Sequence, residues 1–473
     1  MFIATRDYNH IPYRHIVLST LLKTKKVLNL SKINFILFRP NRTPSAKYIF
    51  FLIKLILNGS LFSGNRANIK YENIEIGRFV LAETYKNYQC YLSRAKFYFY
   101  LTKNFYRAGK LIYSAEKYEK LYKVKGVYID HCGYLNGVLY SFFSIKKRII
   151  FTNNYPSNLY GINFNKLKNK IYRKYEESLK LKKIKILTKK DFKITNNFSK
   201  KLFTKKNFIP WMNLTKYKKV KNINFKSFDY IVYAHSFTDG QLWYGYDGFE
   251  NTFDWLNFTL SELEKKGKKV LVKAHPNFYR TAYGIQDIWD KKIFSVFEKK
   301  YKNNPNIYIL NKPVFNNDIL KKIDKETILI SHHGTVLLEA SYYGYKSICS
   351  YCTFFNKHFK VSNTWKSKDD YKNLLNVDFK KLNYSNKRDI LYLIYMIFRD
   401  DKSYSGKNFW QNIVIKSLGF KSIHMWHKKV ELFSNTKNPQ HRMNIFKQLV
   451  KNKLVKNKEQ VIIKRISTSI NII

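Results

Sequence analysis

ETILISHHGTVLLEASYYGYKSICSY, Glu326 to Tyr351, reads as strand, polar turn, helix and second strand. The run ETILI is short, apolar and β-branched, while Val336, Leu337, Ala340 and Tyr343 recur at helical spacing. The turn His332-His333-Gly334-Thr335 therefore falls at a helix N-terminus, where free amides and the helix dipole attract anions. Gly334 permits close approach of a phosphate to the backbone, and Thr335 adds a hydroxyl. Of the two histidines, His333 is preferred as the ligand contact because it adjoins Gly334. Glu339 shares a helix face with Thr335, a position suited to a sugar hydroxyl. The plain alternatives are capping for Gly-Thr and dipole stabilisation for Glu339.

Outward from this segment, strands and helices alternate. FDYIVYAH, KKVLVKAH, NIYIL, ETILIS and KSICSY read as five strands, with four helices between them. That alternation predicts a parallel sheet with helices on both faces, whose ligands bind beyond the carboxyl ends of the strands. Three of those ends carry histidine: His235 after the first strand, His275 after the second, and His332 and His333 after the fourth. Lys273 and His275 alternate in an extended segment and so face one side, with Pro276 ending the strand. A lysine and an imidazole there suit a phosphoester; the bland reading is a snorkelling lysine beside a satisfied histidine.

The first half is also α/β. INFILF suggests a strand, Arg78 to Tyr122 helix interrupted near Asn104 to Gly109, and GVYID with the following helix and RIIFTN a βαβ element. A lysine-rich stretch from Tyr172 to about Phe228 marks the boundary. The expected organisation is an acceptor-side Rossmann-like domain over 1–220, a donor domain over 221–385, and a helical segment over 386–473 packing back on the first domain. Candidates for proton transfer are Asp239 and His235 on the first rim loop, Asp247 further along, and His131 beside Asp130 across the cleft between the domains.

The 88 Lys and Arg against 32 Asp and Glu give a formal charge of +56, a field that attracts polyanions. Abundant Lys, Asn, Ile, Tyr and Phe with only 9 Pro and 17 Gly also fit a genome poor in G and C, which makes many lysines compositional. No nucleic-acid-binding motif accompanies the charge, so no nucleic-acid partner is expected; peripheral contact with an anionic membrane is. Four cysteines are too few for a disulfide framework, and Cys349-x-x-Cys352 reads as packing. Arg6 and Asp7 stand where a signal peptide would turn apolar, and Tyr48 to Leu57 is too short to span a bilayer. The expected location is the cytoplasm, peripheral to the inner face of the membrane.

FTDGQLWYGYDGFENTFDWLNFTLSELEKKGKKVLVKAHP with ISHHGTVLLEASYYGYKSICS resembles the capsule polysaccharide biosynthesis family, glycosyltransferases of the two-Rossmann GT-B type. The shared features are an Asp after the first strand, Trp255 in the following helix, Lys-x-His-Pro after the second strand, and Gly-Thr-x-x-x-Glu. The resemblance covers about Asp229 to Leu375. It implies two Rossmann-like domains facing a cleft, a nucleotide-sugar donor on the second, a glycan or glycolipid acceptor on the first, and transfer needing neither metal nor further cofactor. Lys273, His275, His333, Gly334, Thr335 and Glu339 are the implied donor contacts, and Asp239 the catalytic group by position. Tyr342, Tyr343 and Ser347 depart from the family pattern, so sugar specificity is not carried over. Two other readings remain open: a teichoic-acid-type polyol-phosphate transferase, and a non-catalytic lipid- or nucleic-acid-binding protein.

Overall fold

The computed structural model describes residues 2–4, 35–38, 40, 43–122, 124, 126–129, 133–152, 189–204, 217–218, 223–242, 245–279, 285–353 and 361–398. The chain divides into two compact units. One, 1–8 with 32–280 and 285–401, carries both major sheets; the other, 9–31 with 281–284 and 402–473, lies outside the described residues. His131 and the tail beyond 398 also lie outside them.

The first sheet holds β1 (Phe2–Ala4) and β2 (Phe35–Leu37) and, past a small hairpin of β3 (Lys70–Tyr71) and β4 (Ile74–Glu75), β5 (Gly126–Ile129) and β6 (Ile149–Thr152). Its order is β2-β1-β5-β6, parallel throughout. Helix Arg94–Leu121 crosses its core without the interruption expected near Asn104 to Gly109. Gly109 is small because Tyr48 packs against it: a Cβ there would stand 2.3 Å from the ring. The glycine marks a close approach and not a helix end.

The second sheet contains β7 (Tyr230–Tyr233), β8 (Val270–Lys273), β9 (Ile307–Leu310), β10 (Ile328–Ser331), β11 (Ser347–Ser350) and β12 (Asn363–Trp365). The order β12-β11-β10-β7-β8-β9, parallel at every pairing, is the doubly wound Rossmann order. β7, β8, β10 and β11 are buried along their whole length, which explains their unbroken apolar runs. The fold is α/β as expected, with one more strand than the sequence suggests. β12 is three residues, NTW, too short and polar to show a pattern.

Helices cover this sheet. Asn251 caps Thr252–Lys265 by accepting from the Asp254 amide at 2.8 Å, and that helix buries Trp255, Leu256, Leu260 and Leu263. Leu202 and Phe203 of helix Lys189–Thr204, and Ile390, Leu393 and Ile394 of helix Lys387–Phe398, join the same core. The apolar run from Tyr48 lies on helix Ala46–Leu57, which turns Tyr48, Leu52 and Leu55 inward and leaves Phe50 and Leu57 mostly exposed. Among the described residues no helix is long and apolar enough to cross a membrane.

The two halves are joined by a shielded ion pair. Arg66 donates through Nε to Glu250 Oε1 at 3.0 Å and through Nη2 to Oε2 at 2.7 Å, and the Tyr85 hydroxyl adds a bond to Oε2 at 3.3 Å. Both charged side chains are largely out of water, so removing one strands the other. Arg66→Met should cost roughly 3 kcal/mol of unfolding free energy, and the double change Arg66→Met/Glu250→Leu less than the two singles summed. Strict additivity in urea unfolding would show that the pair is not coupled.

Candidate active site

In this strand order the sheet's direction of winding reverses between β7 and β10, and ligands of such sheets bind outside the carboxyl ends of the strands at that point. The residues leaving β7 and β10 there are His235 and His332-His333. The rings of His235 and His333 lie 3.8 Å apart between centroids, across the switch point, and His275 from β8 brings its ring to 5.3 Å from His235. Burial lowers His235 to about 4, and burial with the neighbouring His235, His332 and His275 rings holds His333 well below the usual range. Near neutral pH both are uncharged, each ring pairing a donor with an acceptor.

A second polar group lies at the β8 end. Lys273 is 4% exposed, its Nζ 5.7 Å from the Tyr233 ring centre. Burial lowers its ammonium to about 8, against the favourable charge of Glu339. Glu339 is pushed up by burial to about 7, opposed by a hydrogen bond from Asn316 Nδ2 at 2.5 Å and by Lys273. The buried Tyr233 hydroxyl and Asn316 Oδ1 have no hydrogen-bond partner among the described residues. Buried polar atoms without partners are uncommon in native structures, and they occur both here and round His332, where Asp247 Oδ2, His332 Nε2 and the Trp255 and Trp365 indole nitrogens share that condition.

The β10 turn differs from its expected form. The helix runs Val336–Tyr342, and Thr335, at its N-cap, makes no side-chain capping bond and is exposed. Gly334 has a steric reason: a Cβ would stand 2.8 Å from Ser331 Oγ, which accepts a bond from the Gly334 amide at 3.3 Å. Of the expected site residues, the structure gathers His235, His275 and His333 into one group and Lys273 with Glu339 into another.

Asp239 occupies a different place. Its Oδ1 accepts from the hydroxyl of Tyr134 in the first half, and that hydroxyl in turn accepts from the Gly240 amide at 3.1 Å. Two residues on, Leu242 adopts a left-handed φ of 52° and inserts into the first half's core.

Three contributors escaped the sequence reading. Asp290, buried within helix Ile285–Lys300, accepts from Ser236 Oγ at 2.5 Å, from the Phe237 and Thr238 amides at 3.0 and 2.8 Å, and from Thr238 Oγ1 at 2.9 Å. Burial pushes its carboxyl up to about 6 in spite of these donors. Tyr134 was unforeseen as the anchor of Asp239. The third is the contact of His332 Nε2 with Asp247 Oδ2 at 3.1 Å; Gly245 and Gly248 bracketing Asp247 were the visible signal. Cys349 and Cys352 lie in the packed interior and are not joined in a disulfide. Among the described residues no three His, Cys, Asp or Glu side chains are placed to hold a metal ion.

No family model matches the chain, and no curated protein does. Solved structures match it distantly. A UDP-GlcNAc 2-epimerase of Methanocaldococcus jannaschii, in complex with UDP-GlcNAc and UDP, is 13% identical, with 84% of this chain and 98% of that one covered and a TM-score of 0.31. The β-Kdo 2,4-transferase KpsC of Thermosulfurimonas dismutans is 12% identical over 51% of this chain and 67% of its own, at 0.32. A UDP-GlcNAc 2-epimerase of Neisseria meningitidis bound to UDP-GlcNAc is 13% identical over 96% and 99%, at 0.22.

The two shifted groups make stability depend on pH in opposite senses. Glu339, raised from 4.5 to about 7, keeps its proton in the folded state while the unfolded chain has lost it, so its contribution falls as pH rises between those values. Lys273, lowered from 10.5 to about 8, sheds its proton early when folded, so its contribution recovers as pH rises from 8 towards 10.5. Glu339→Gln should therefore gain stability relative to wild type as pH climbs from about 4.5 to 7. Lys273→Met should be more stable than wild type at pH 7 by on the order of 2–3 kcal/mol. Urea titrations across pH check both; destabilised variants at pH 7 would show that the charges are well compensated.

Proposed function

We propose that the protein is a glycosyltransferase of the capsule polysaccharide biosynthesis type, moving a sugar from a nucleotide-sugar donor to a hydroxyl of a surface glycan or glycolipid. The observation that carries this reading is the convergence of His235, His275 and His333 across the switch point of a Rossmann-ordered sheet, beside the buried Lys273 and the half-buried Glu339. Such an edge is where this architecture binds nucleotides. The imidazoles with Gly334 suit the phosphates, and Glu339, with Asn316 bonded to it, suits the hydroxyls of the nucleotide's sugar. Lys273 supplies positive charge where burial has stripped its hydration, which strengthens its attraction to a phosphate.

In the reaction the acceptor oxygen bonds to the anomeric carbon, and the bond from that carbon to the phosphate oxygen breaks. The electron pair leaves with the nucleotide, and the acceptor's proton passes to a base on the rim. Asp239 already accepts the Tyr134 hydroxyl on Oδ1, which suits it to fixing the loop, so the imidazole group is the better source of that base. Thermal unfolding with CMP-, UDP-, GDP- and CDP-linked sugars is the test. One nucleotide class should stabilise the wild type, by about 2.7 kcal/mol at a hundred times its Kd, and stabilise Lys273→Ala far less. If no nucleotide sugar stabilises the wild type, the reading is wrong.

A further inference from the structure

Behind the rim the structure builds a line of three side chains that the sequence reading did not assemble. Asp247, 1% exposed, sets Oδ2 3.1 Å from His332 Nε2, and His332 sets Nδ1 2.6 Å from His333 Nδ1. His333 in turn lies against His235 at the switch point. The backbone is bent to achieve this. Gly245 and Gly248 have φ of 138° and 101°, and a Cβ at either would collide, 2.9 Å from Cys352 Sγ and 2.4 Å from the Lys368 nitrogen. Only glycine lets the 245–248 segment press in far enough to deliver Asp247. Trp255 and Trp365 set their rings edge-on to His332, at 5.4 and 5.8 Å, and keep the middle member dry.

One close ion-pair contact and one hydrogen bond bear on where the protons sit. Burial would raise the Asp247 carboxyl, but His332, Ser350 and the Phe249 amide, 3.3 Å from Oδ1, hold it below the usual range, so it is an anion and can only accept. The 3.1 Å approach of Oδ2 to Nε2 falls outside hydrogen-bond geometry, but the anion so close to Nε2 favours hydrogen there, which leaves a neutral His332 a lone pair on Nδ1. That lone pair accepts from Nδ1–H of His333, which places the His333 lone pair on Nε2. The titratable neighbours sort by sign: His235, His332 and His275 all oppose a charge on His333, while the hydroxyls of Tyr246, Tyr351 and Tyr371 near Asp247 are pushed up and stay neutral.

We propose that Asp247, His332 and His333 form a proton relay: His333 Nε2 accepts a proton at the rim, its Nδ1 proton passes to His332 Nδ1, and the resulting imidazolium is held by Asp247. Resting on the transfer reading, the proton accepted is that of the attacking hydroxyl, which makes His333 the catalytic base. His332 and Asp247 are positioning residues. The charge balances within the protein: one proton gained on the histidine pair, beside one carboxylate already negative.

The relay is tested in the intact chain labelled with 15N in its imidazoles, using long-range proton–nitrogen correlations assigned with His332→Gln and His333→Gln. The expected spectrum shows His332 protonated on Nε2 and His333 on Nδ1. In Asp247→Asn the His332 preference should be lost and the acidic limb of the pH–rate profile displaced, with turnover down roughly 100-fold. His332 protonated on Nδ1 in the wild type overturns the relay, and so does an Asp247→Asn variant with wild-type tautomers and pH profile. The wild-type spectrum needs neither a ligand nor a folded variant. If the expected tautomers appear but no nucleotide sugar binds, the relay stands as a proton-accepting site and the transfer reading falls.

Discussion

A single buried carboxylate organises the rim. Asp290 gathers four donors from Ser236, Phe237 and Thr238, and so fixes the backbone of the loop leaving β7. Without that acceptor, two buried amides and two hydroxyls would lose their partner, each at a cost of about 1–3 kcal/mol. Everything the loop presents depends on this hold: His235 on one side of the bonded stretch, Asp239, Gly240 and Leu242 on the other. The sheet supplies the edge, and Asp290 gives the edge a shape.

The site is built of groups that would be cheaper in water. Lys273 and Glu339 are both shifted towards neutrality by burial, yet neither is replaced by an apolar residue. Tyr233 and Asn316 add polar atoms that find no partner among the described residues. The same strands that supply these groups are otherwise continuous hydrophobic core, with β7 and β8 buried along their whole length. Polar chemistry is thus confined to the last residue of a strand and the few that follow, where stable packing and reactive side chains can meet without mixing.

The fold was legible because its main signals are local. Unbroken runs such as YIVY, VLVK and ILIS report burial on both faces of a parallel sheet, and helical spacing from Val336 to Tyr343 reports the helix between two of them. Histidines at three strand ends were equally visible, since the architecture dictates which edge carries a site. What escaped notice was set by distance in sequence. Asp290 lies more than fifty residues beyond the loop it holds, and Tyr134 about a hundred before the aspartate it binds. Gly109 was misread for a related reason: a glycine chosen to admit the Tyr48 ring looks, in one dimension, like a helix break. β12 was missed because strand pairing with β11, more than any pattern of its own, makes NTW a strand.

The loop from Ser236 to Leu242 is fastened to both halves of the protein at alternate points. The second half holds it at Asp290, while the first half holds the Phe237 carbonyl through the Tyr91 hydroxyl, Asp239 through Tyr134, and Leu242 in its core. Such a segment acts as a drive shaft. Any displacement of one sheet against the other would load the backbone beside His235, which carries contacts to both halves.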